Sequence, residues 1–183
     1  MKLFEDSTLD QYIGRLESDP AEVEQLFKDL LIGVTSFFRD PDAFELLDSK
    51  IYPQLLEHLD EQEDFRGWIA GCATGEVAYS IAITIHEVAR RLGKSIRVKL
   101  FATDAHRQSL ETAHPGIYPA SIVDVVPEEL IGRYFVKTSD GFQIIGPIRD
   151  SIVFAPHNLV TDTQFTNQTF VSCRKVLINF RAL

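Results

Sequence analysis

Cysteine is scarce in this sequence: Cys72 and Cys173 are the two that it contains in 183 residues. They lie about a hundred residues apart without a CxxC spacing, so the pattern predicts neither a disulfide framework nor a zinc ribbon. We interpret both as small apolar residues. The 5 histidines show no HExxH or other ligand spacing, and no metal site is predicted.

Long apolar runs are also missing. No stretch approaches the roughly 20 apolar residues that a membrane span needs, so membrane insertion is not predicted. The N-terminal sequence "MKLFEDSTLD" has acidic residues and no apolar signal region, which makes a cytoplasmic location the expectation.

The sequence contains fewer basic than acidic residues. The chain has 18 lysines and arginines against 27 aspartates and glutamates, a formal net charge of -9. Nucleic-acid binding requires clustered cations that neutralise phosphates, and the densest cluster here is "ARRLGK" followed by "RVK". No nucleic-acid partner is therefore predicted.

What the chain does have, in its first third, is helical periodicity. Residues 8 to 32 predict two helices, "TLDQYIGRLES" and "AEVEQLFKDLLI", the second starting at the N-cap pair Asp19-Pro20. A similar pair, Asp40-Pro41, opens "DAFELLDSKIYPQLLEHL", which Pro53 should kink or split. The acidic run "LDEQEDFRG" that follows is predicted to be a solvated link.

From Gly67 onward, apolar strands and helices alternate. Strands are predicted at 67–70 and 96–102 and in "SIVFAP" and "TFVSC", with helices at 76–92 and 105–113. A short helix after Pro127 and a hairpin turning at Ser139-Asp140-Gly141 are inserted before the third of these strands. The alternation is typical of an α/β fold with a parallel sheet.

Ligands of open parallel sheets bind beyond the carboxyl ends of the strands. The residues there are Gly71, Thr74, Gly75 and Glu76 after the first strand, Asp104 after the second and Asn158 after the third. A carboxylate at Asp104 can accept two hydrogen bonds from a ribose diol, although it can equally be a helix N-cap, and the Asn158 amide suits an adenine edge.

The glycine loop "GCATGE" narrows the choice of cofactor. It lacks the middle glycine of GxGxxG, which lets a pyrophosphate sit close to the backbone. An adenosine cofactor without pyrophosphate, such as S-adenosylmethionine, is therefore favoured over NAD or FAD. A nicotinamide-dependent oxidoreductase remains as a weaker alternative.

Five motifs resemble those of one family: "LLIGVTSFFRDPDAF", "GCATGEVAYSIAI", "FATDAHRQSLETAHPGIYP", "RDSIVFAPHNL" and "SCRKVLINF". In order and spacing they are similar to the CheR-type chemoreceptor glutamate methyltransferases, including forms fused to the receptor methylesterase. The resemblance implies a short all-helical segment before a Rossmann-like S-adenosylmethionine-dependent methyltransferase sheet. It implies a remnant of a helical N-terminal domain at 1–32, a helical linker region at 33–66 and an incomplete methyltransferase domain at 67–183 whose C-terminal strands are missing.

The resemblance also implies a function and a set of site residues. The expected reaction is transfer of a methyl group from S-adenosylmethionine to glutamate side chains on chemoreceptor signalling helices, with Arg39 as the catalytic residue. The implied cofactor-binding residues are Thr35, Arg39, Gly71, Gly75, Glu76, Asp104, Asn158 and Leu159. Whether a partner chain or fused domains accompany this chain stays open at this point.

Four positions depart from the family pattern. The family usually has Asn at Gly33, a second Glu at Val77, Asn at Lys175 and Tyr at Asn179. Val77 removes a carboxylate expected near the positive charge of the cofactor, and Lys175 adds a cation there. A catalytically degenerate CheR-like binding module in chemotaxis-type signalling is therefore the alternative hypothesis to an active enzyme.

Overall fold

The computed structural model describes residues 9–20, 22–23, 26, 35–60, 63–174 and 176. The chain divides into two compact units, Met1–Gly33 and Val34–Leu183. In the first unit, helix α1 spans Leu9–Ser18 and confirms the first of the two predicted N-terminal helices. Most of the second predicted helix lies outside the described residues, as do three of the four divergent positions, Gly33, Lys175 and Asn179.

The helical stretch that opens the larger unit is divided. Helix α2 spans Pro41–Leu46, a π-helical turn covers Leu47–Ile51, and α3 spans Tyr52–Glu57. Pro53 lies in the first turn of α3, and because proline has no N–H it cannot donate the hydrogen bond that would continue a regular helix through this point. The predicted split at Pro53 is confirmed.

The start of α2 differs from the prediction in one respect. Asp40 precedes Pro41 as expected, but its side chain makes no capping hydrogen bond. Its main-chain carbonyl accepts a hydrogen bond from the N–H of Ala43 at 3.0 Å, and its carboxylate instead binds Arg174. The carboxylate is unavailable as a cap because a cation from the other end of the unit holds it.

Strands and helices alternate through the remainder of the described chain. In order, the elements are β1 (Asp64–Ala70), α4 (Glu76–Arg91), β2 (Arg97–Asp104), α5 (Arg107–Ala113), β3 (Ile117–Tyr118), a 3-10 helix (Ala120–Asp124), α6 (Glu128–Tyr134), β4 (Phe135–Thr138), β5 (Gly141–Ile144), α7 (Gly146–Arg149), β6 (Ile152–Pro156) and β7 (Phe170–Cys173). Within the described ranges, none of the helices has the length and apolar character to cross a bilayer.

Four strands form a parallel sheet in the order β6-β2-β1-β7. The first strand is therefore central, and the chain moves outward to one side before returning to the other, as in doubly wound folds. The predicted α/β class, a Rossmann-like sheet preceded by helices, is confirmed. In the part of the chain that the structure describes, β7 forms one edge of this sheet, and its Val171 is 52% exposed.

The first strand begins three residues earlier than predicted. Asp64, Phe65 and Arg66 belong to β1 rather than to the solvated link. Phe65 is fully buried against Tyr52, while Asp64 accepts hydrogen bonds from cations of the neighbouring strand β2. The prediction was wrong here because charged residues at the start of a strand resemble a solvated link when their cross-strand partners are unknown.

Helix α4 packs on one face of the parallel sheet and is buried almost all round. Its apolar side chains, including Ile81 and Ile85, join Ile69 and Leu100 of the sheet in one core. Helices α2 and α3 contribute Phe44 and the fully buried pair Tyr52 and Leu56 to the same core. An amphipathic surface helix would show a polar face, so the burial of α4 indicates that elements cover it on more than one side.

The inserted segment forms a second, antiparallel sheet in the order β3-β5-β4. Its hairpin turns at Ser139 and Asp140, and α6 starts directly after Pro127, as predicted. Gly141, with φ of 136°, opens β5 where a Cβ atom would lie 2.1 Å from the carbonyl oxygen of Tyr118. Glycine is required at this position because β3 and β5 approach each other too closely for any side chain.

One half-buried carboxylate joins the inserted segment to α4. Glu87 Oε1 accepts hydrogen bonds from Arg133 Nη1 and from the Tyr134 hydroxyl, both at 2.6 Å, and Arg90 donates to Oε2 at 2.8 Å. Burial alone would raise the pKa of Glu87, but the hydrogen bonds from Arg90, Tyr134 and Arg133 outweigh it and lower the pKa to about 2. The folded state therefore holds this carboxyl group ionised.

This arrangement predicts an acid-dependent stability. Because the pKa of Glu87 is lower in the folded than in the unfolded state, its contribution is complete above about pH 5 and is lost as the pH falls from there toward 2. We expect the difference in unfolding free energy between the unmodified chain and Glu87→Gln to be constant above pH 5 and to shrink below it, measured by urea denaturation. A difference independent of pH between 3 and 6 would contradict this assignment.

Candidate functional site

The loop between β1 and α4 has a left-handed backbone at three positions. The φ angles are 72° at Gly71, 47° at Ala73 and 93° at Gly75. The N–H groups of Gly71 and Cys72 both donate to the carbonyl oxygen of Thr103 on β2, at 2.7 and 3.0 Å. This loop, residues 71–75, is therefore tied to the carboxyl end of the neighbouring strand, and we refer to it as the glycine loop.

Asp104 supplies a second tie between the glycine loop and β2. It is the last residue of β2, not the residue beyond it, and its Oδ2 accepts the N–H of Ala73 at 2.8 Å. Its Oδ1 accepts the N–H of His106 at 2.9 Å, just before α5. An ionised carboxylate has about four acceptor positions, so each oxygen keeps capacity for a further donor such as a ribose hydroxyl. The structure thus gives Asp104 a structural role in addition to its predicted ligand role.

Cys72, inside the glycine loop, is fully buried. Burial raises the pKa of its thiol well above the usual range, and the nearby negative charge of Asp104 acts in the same direction. The group is a neutral thiol, consistent with the interpretation of Cys72 as a small apolar residue.

The first turn of α4 carries the acidic residue of the loop motif. Glu76 is half-buried, and its Oε2 accepts a hydrogen bond from the Thr74 hydroxyl at 2.6 Å. The next residue, Val77, is also half-buried and packs against the apolar core. Val77 therefore contributes an apolar contact with the core in place of a charge, and Glu76 supplies the one carboxylate in the first turn of α4.

The segment from Thr35 to Asp40 is fixed in an unusual backbone form. Phe38 and Asp40 both have positive φ, 49° and 63°, which non-glycine residues seldom adopt. Arg39, half-buried, stands between them. Such strain persists only where surrounding contacts over-determine it, and it is concentrated at functional sites.

The contacts that hold this segment come from three directions. Phe37 is buried, with its ring 5.5 Å from that of Phe135. The N–H of Phe38 donates to Ser80 Oγ on α4 at 3.0 Å. On the side of β7, Arg174 donates to the carbonyl oxygen of Arg39 at 3.2 Å and to the carboxylate of Asp40. The segment is thus fastened both to the helix after the glycine loop and to the end of β7.

Asn158 and Leu159 follow β6 at the same edge of the sheet. The N–H of His157 donates to the carbonyl oxygen of Asp104 at 3.1 Å, which brings this turn beside β2. Asn158 is exposed, its Oδ1 accepts the N–H of Val160 at 2.9 Å, and Leu159 is half-buried. The amide oxygen of Asn158 thus accepts one hydrogen bond within its own turn and keeps a second lone pair, so the amide can still both donate to a ligand and accept from it.

Each sequence-predicted site residue lies at the carboxyl end of a strand or on a segment bonded to one. Three residues that were not identified from the sequence bind these site residues or the segments that carry them: Ser80, Tyr118 and Arg174. Arg174 directly follows the fourth strand, so the rule that located Asp104 could have located it. Ser80 and Tyr118 carry no comparable signal, because a mid-helix serine and a buried tyrosine are ordinary features of a core.

Residues 33–182 match the family described as "CheR methyltransferase, SAM binding domain", where SAM is S-adenosylmethionine. The chain belongs to the CheR methyltransferase family. The resemblance found in the sequence motifs is confirmed, and the methyl donor of this domain is S-adenosylmethionine.

Three relatives show how much of a longer chain this one covers, and two of them have methyltransferase names. An uncharacterized 104.1 kDa protein of Rhodobacter capsulatus is 39% identical over 173 residues, covering 94% of this chain and 18% of its own. The Cher3 protein of Pseudomonas putida is 32% identical over 98% of this chain and 66% of its own. A chemotaxis protein methyltransferase of Listeria monocytogenes is 31% identical over 96% of this chain and 64% of its own. The chain thus spans less than two thirds of each of these relatives.

The residues present fit S-adenosylmethionine in part. Asp104 keeps acceptor capacity for the ribose diol. Three main-chain N–H groups of the glycine loop fix the loop beside it, two by donating to the carbonyl oxygen of Thr103 and one by donating to the Asp104 carboxylate. Packing within the domain explains why positions 71 and 75 are glycine. A Cβ atom at Gly71 would lie 2.0 Å from Val176 Cγ2, and a Cβ atom at Gly75 would lie 2.9 Å from Ala113 Cβ. Val77 contributes no charge toward the cofactor.

Proposed function

We propose that this protein transfers a methyl group from S-adenosylmethionine to glutamate side chains on chemoreceptor signalling helices. The observation that carries the proposal is the strained segment Phe38–Asp40, which holds Arg39 between a hydrogen bond to α4 and a pair of hydrogen bonds to the end of β7. A backbone fixed in this way limits the positions that a guanidinium group can reach, and such limits are what alignment of a reacting carboxylate requires.

The reaction requires few catalytic groups from the protein. When bound, S-adenosylmethionine supplies a sulfonium methyl group that an ionised carboxylate attacks in line, leaving a methyl ester and S-adenosylhomocysteine. No general base is needed, because a glutamate with an ordinary pKa near 4.3 is already ionised at neutral pH. Arg39 is proposed to orient that carboxylate, Asp104 to hold the ribose, and Asn158 with Leu159 to flank the adenine.

Methyl transfer can be tested directly. The chain is incubated with S-adenosylmethionine carrying a labelled methyl group and a soluble receptor signalling fragment, and base-labile label on the fragment is counted. We expect label on a fragment with glutamates at the acceptor positions and none on a matched fragment with glutamines there. Equal label on both fragments, or none on either under conditions where a chemotaxis protein methyltransferase is active, would overturn the proposal.

A catalytically degenerate CheR-like binding module is the second candidate, and Val77 favours it. The family pattern has a glutamate at this position, whereas here a valine packs against the core. Calorimetric titration with S-adenosylhomocysteine separates the two candidates. Micromolar binding counts against the degenerate module, since a module that has lost its chemistry has no need to retain the cofactor.

The divergent positions themselves can be tested by restoring the family residues. In Val77→Glu combined with Lys175→Asn, we expect affinity for S-adenosylhomocysteine to rise by about 10-fold, the equivalent of one favourable charge contact of about 1.4 kcal/mol. The control is Val123→Glu combined with Lys137→Asn, which makes the same change in net charge at two exposed positions, Val123 at 51% on the 3-10 helix and Lys137 on β4. A rise in the control as well would show that net charge, and not position 77, controls binding.

A further inference from the structure

Tyr118 lies in the small antiparallel sheet and contacts the glycine loop. Its hydroxyl donates to the carbonyl oxygen of Thr74 at 2.9 Å, although 44 residues separate the two in the chain. At the next position of the loop, a Cβ atom on Gly75 would lie 3.0 Å from the same hydroxyl oxygen. The loop therefore rests directly on this side chain, which is 4% exposed.

The ring of Tyr118 reaches the other parts of the site. It packs edge-on against Phe37 of the strained segment, with ring centroids 4.8 Å apart, and against Tyr79 of α4 at 6.0 Å. Aromatic pairs in this arrangement add to the energy of burial. The Tyr118 side chain thus contacts the glycine loop, the segment that carries Arg39, and helix α4.

The small sheet fixes the place of Tyr118. Strand β3 pairs with β5 so that Tyr118 stands opposite Phe142, and Gly141 permits the close approach of the two backbones. Burial, reinforced by the negative charge of Glu76, raises the pKa of Tyr118 far above its usual range, so its hydroxyl keeps its proton and remains a donor.

We propose that Tyr118 is a positioning residue for the methyl-donor loop. It holds the Thr74–Gly75 side of the glycine loop, while Asp104 holds the Ala73 side, and the two contacts together set the path of the backbone at the cofactor site. The inserted three-stranded sheet then supports the cofactor site through one hydrogen bond and the two aromatic contacts of Tyr118. The inference rests on the S-adenosylmethionine site assigned above and deepens the proposed function.

The test compares two tyrosine-to-phenylalanine variants. Tyr118→Phe removes the hydroxyl that bonds to the loop and keeps the ring. Tyr79→Phe is the matched control, because Tyr79 is also a buried tyrosine whose hydroxyl donates to a carbonyl oxygen at 2.9 Å, but to that of Ala113 at the end of α5. Both variants should lose similar amounts of thermal stability, since each loses one buried hydrogen bond.

Affinity for S-adenosylhomocysteine should separate them. We expect about 3- to 10-fold weaker binding in Tyr118→Phe, the equivalent of one hydrogen bond, and less than about 2-fold change in Tyr79→Phe. Unchanged affinity in Tyr118→Phe, or equal weakening in both variants in proportion to stability, would show a merely structural role and overturn the proposal.

Amide hydrogen exchange gives a readout that does not depend on the ligand. The N–H of Gly75 is protected by its bond to the carbonyl oxygen of Cys72 at 2.9 Å. We expect its exchange to be faster in Tyr118→Phe and unchanged in Tyr79→Phe. If the unmodified chain binds no S-adenosylhomocysteine, the cofactor site and the proposed function fail, while equal exchange in the two variants would overturn the role of Tyr118 alone.

Discussion

Gly71→Ala is expected to abolish measurable binding of S-adenosylhomocysteine. Gly71 has φ of 72°, and a Cβ atom there would lie 2.0 Å from Val176 Cγ2, far inside contact distance. The variant loses stability for two reasons. Alanine is strained at a left-handed φ, and its Cβ atom displaces either the loop or the residues after β7. We expect a loss of about 2–4 kcal/mol in unfolding free energy and at least about 100-fold in affinity, measured by urea denaturation and calorimetry.

Gly93→Ala separates the effect of backbone strain from the effect of displacing the glycine loop. Gly93 has a similar φ of 66°, but a Cβ atom there meets nothing within 4 Å, and the residue follows the far end of α4. We expect this variant to lose about 1 kcal/mol of stability from backbone strain alone and to bind the ligand normally. Equal losses of affinity in both variants would show that stability, and not the path of the glycine loop, limits binding.

Asp104→Asn has the second largest expected effect. An asparagine keeps one acceptor oxygen and presents an NH₂ group where the other carboxylate oxygen stood, so one of the two N–H donors, from Ala73 or His106, faces a donor. Hydrogen bonds to a charged group contribute about 1.5–3 kcal/mol, and we expect a loss of that order in unfolding free energy. Affinity for S-adenosylhomocysteine should fall by about 10- to 100-fold, because both the loop and the proposed ribose contact are affected.

Asp64→Asn is the matched control for Asp104→Asn. Asp64 stands at the opposite end of the sheet, where Arg97 and Lys99 donate to its oxygens at 2.7 and 2.6 Å. Surface ion pairs of this kind contribute little to stability, so this variant should resemble the unmodified chain in both measurements. A comparable fall in affinity in the two variants would contradict the assignment of Asp104 to the cofactor site.

The order of the strands and helices could be predicted from the sequence because each is a local pattern. The alternation after Gly67 specified four parallel strands, and the rule on carboxyl ends located Asp104 and Asn158. The start of β1 could not be predicted, because Asp64 has a clear reason to be in a strand only beside Arg97. Local sequence contains no information about that pairing.

The part of the candidate site that could not be predicted depends on long-range contacts. Arg174 meets the carbonyl oxygen of Arg39 across 135 positions of the chain, and Ser80 meets the N–H of Phe38 across 42. Arg174 follows a strand, but nothing in the local sequence indicates that Arg39 is its partner, and Ser80 carries no local signal. They become functional candidates only when the fold brings a strained backbone and a partner together.

The contact between Gly71 and Val176 also bears on when the site can form during synthesis. The glycine loop leaves the ribosome early in this domain, but the residue packed on it follows about a hundred positions later. Chains fold as they emerge, so the first strands and α4 can associate while the loop still lacks this neighbour. Cofactor binding is therefore expected to be a late event in the maturation of a nascent chain, and a ribosome-bound intermediate that ends before β7 should not retain the ligand.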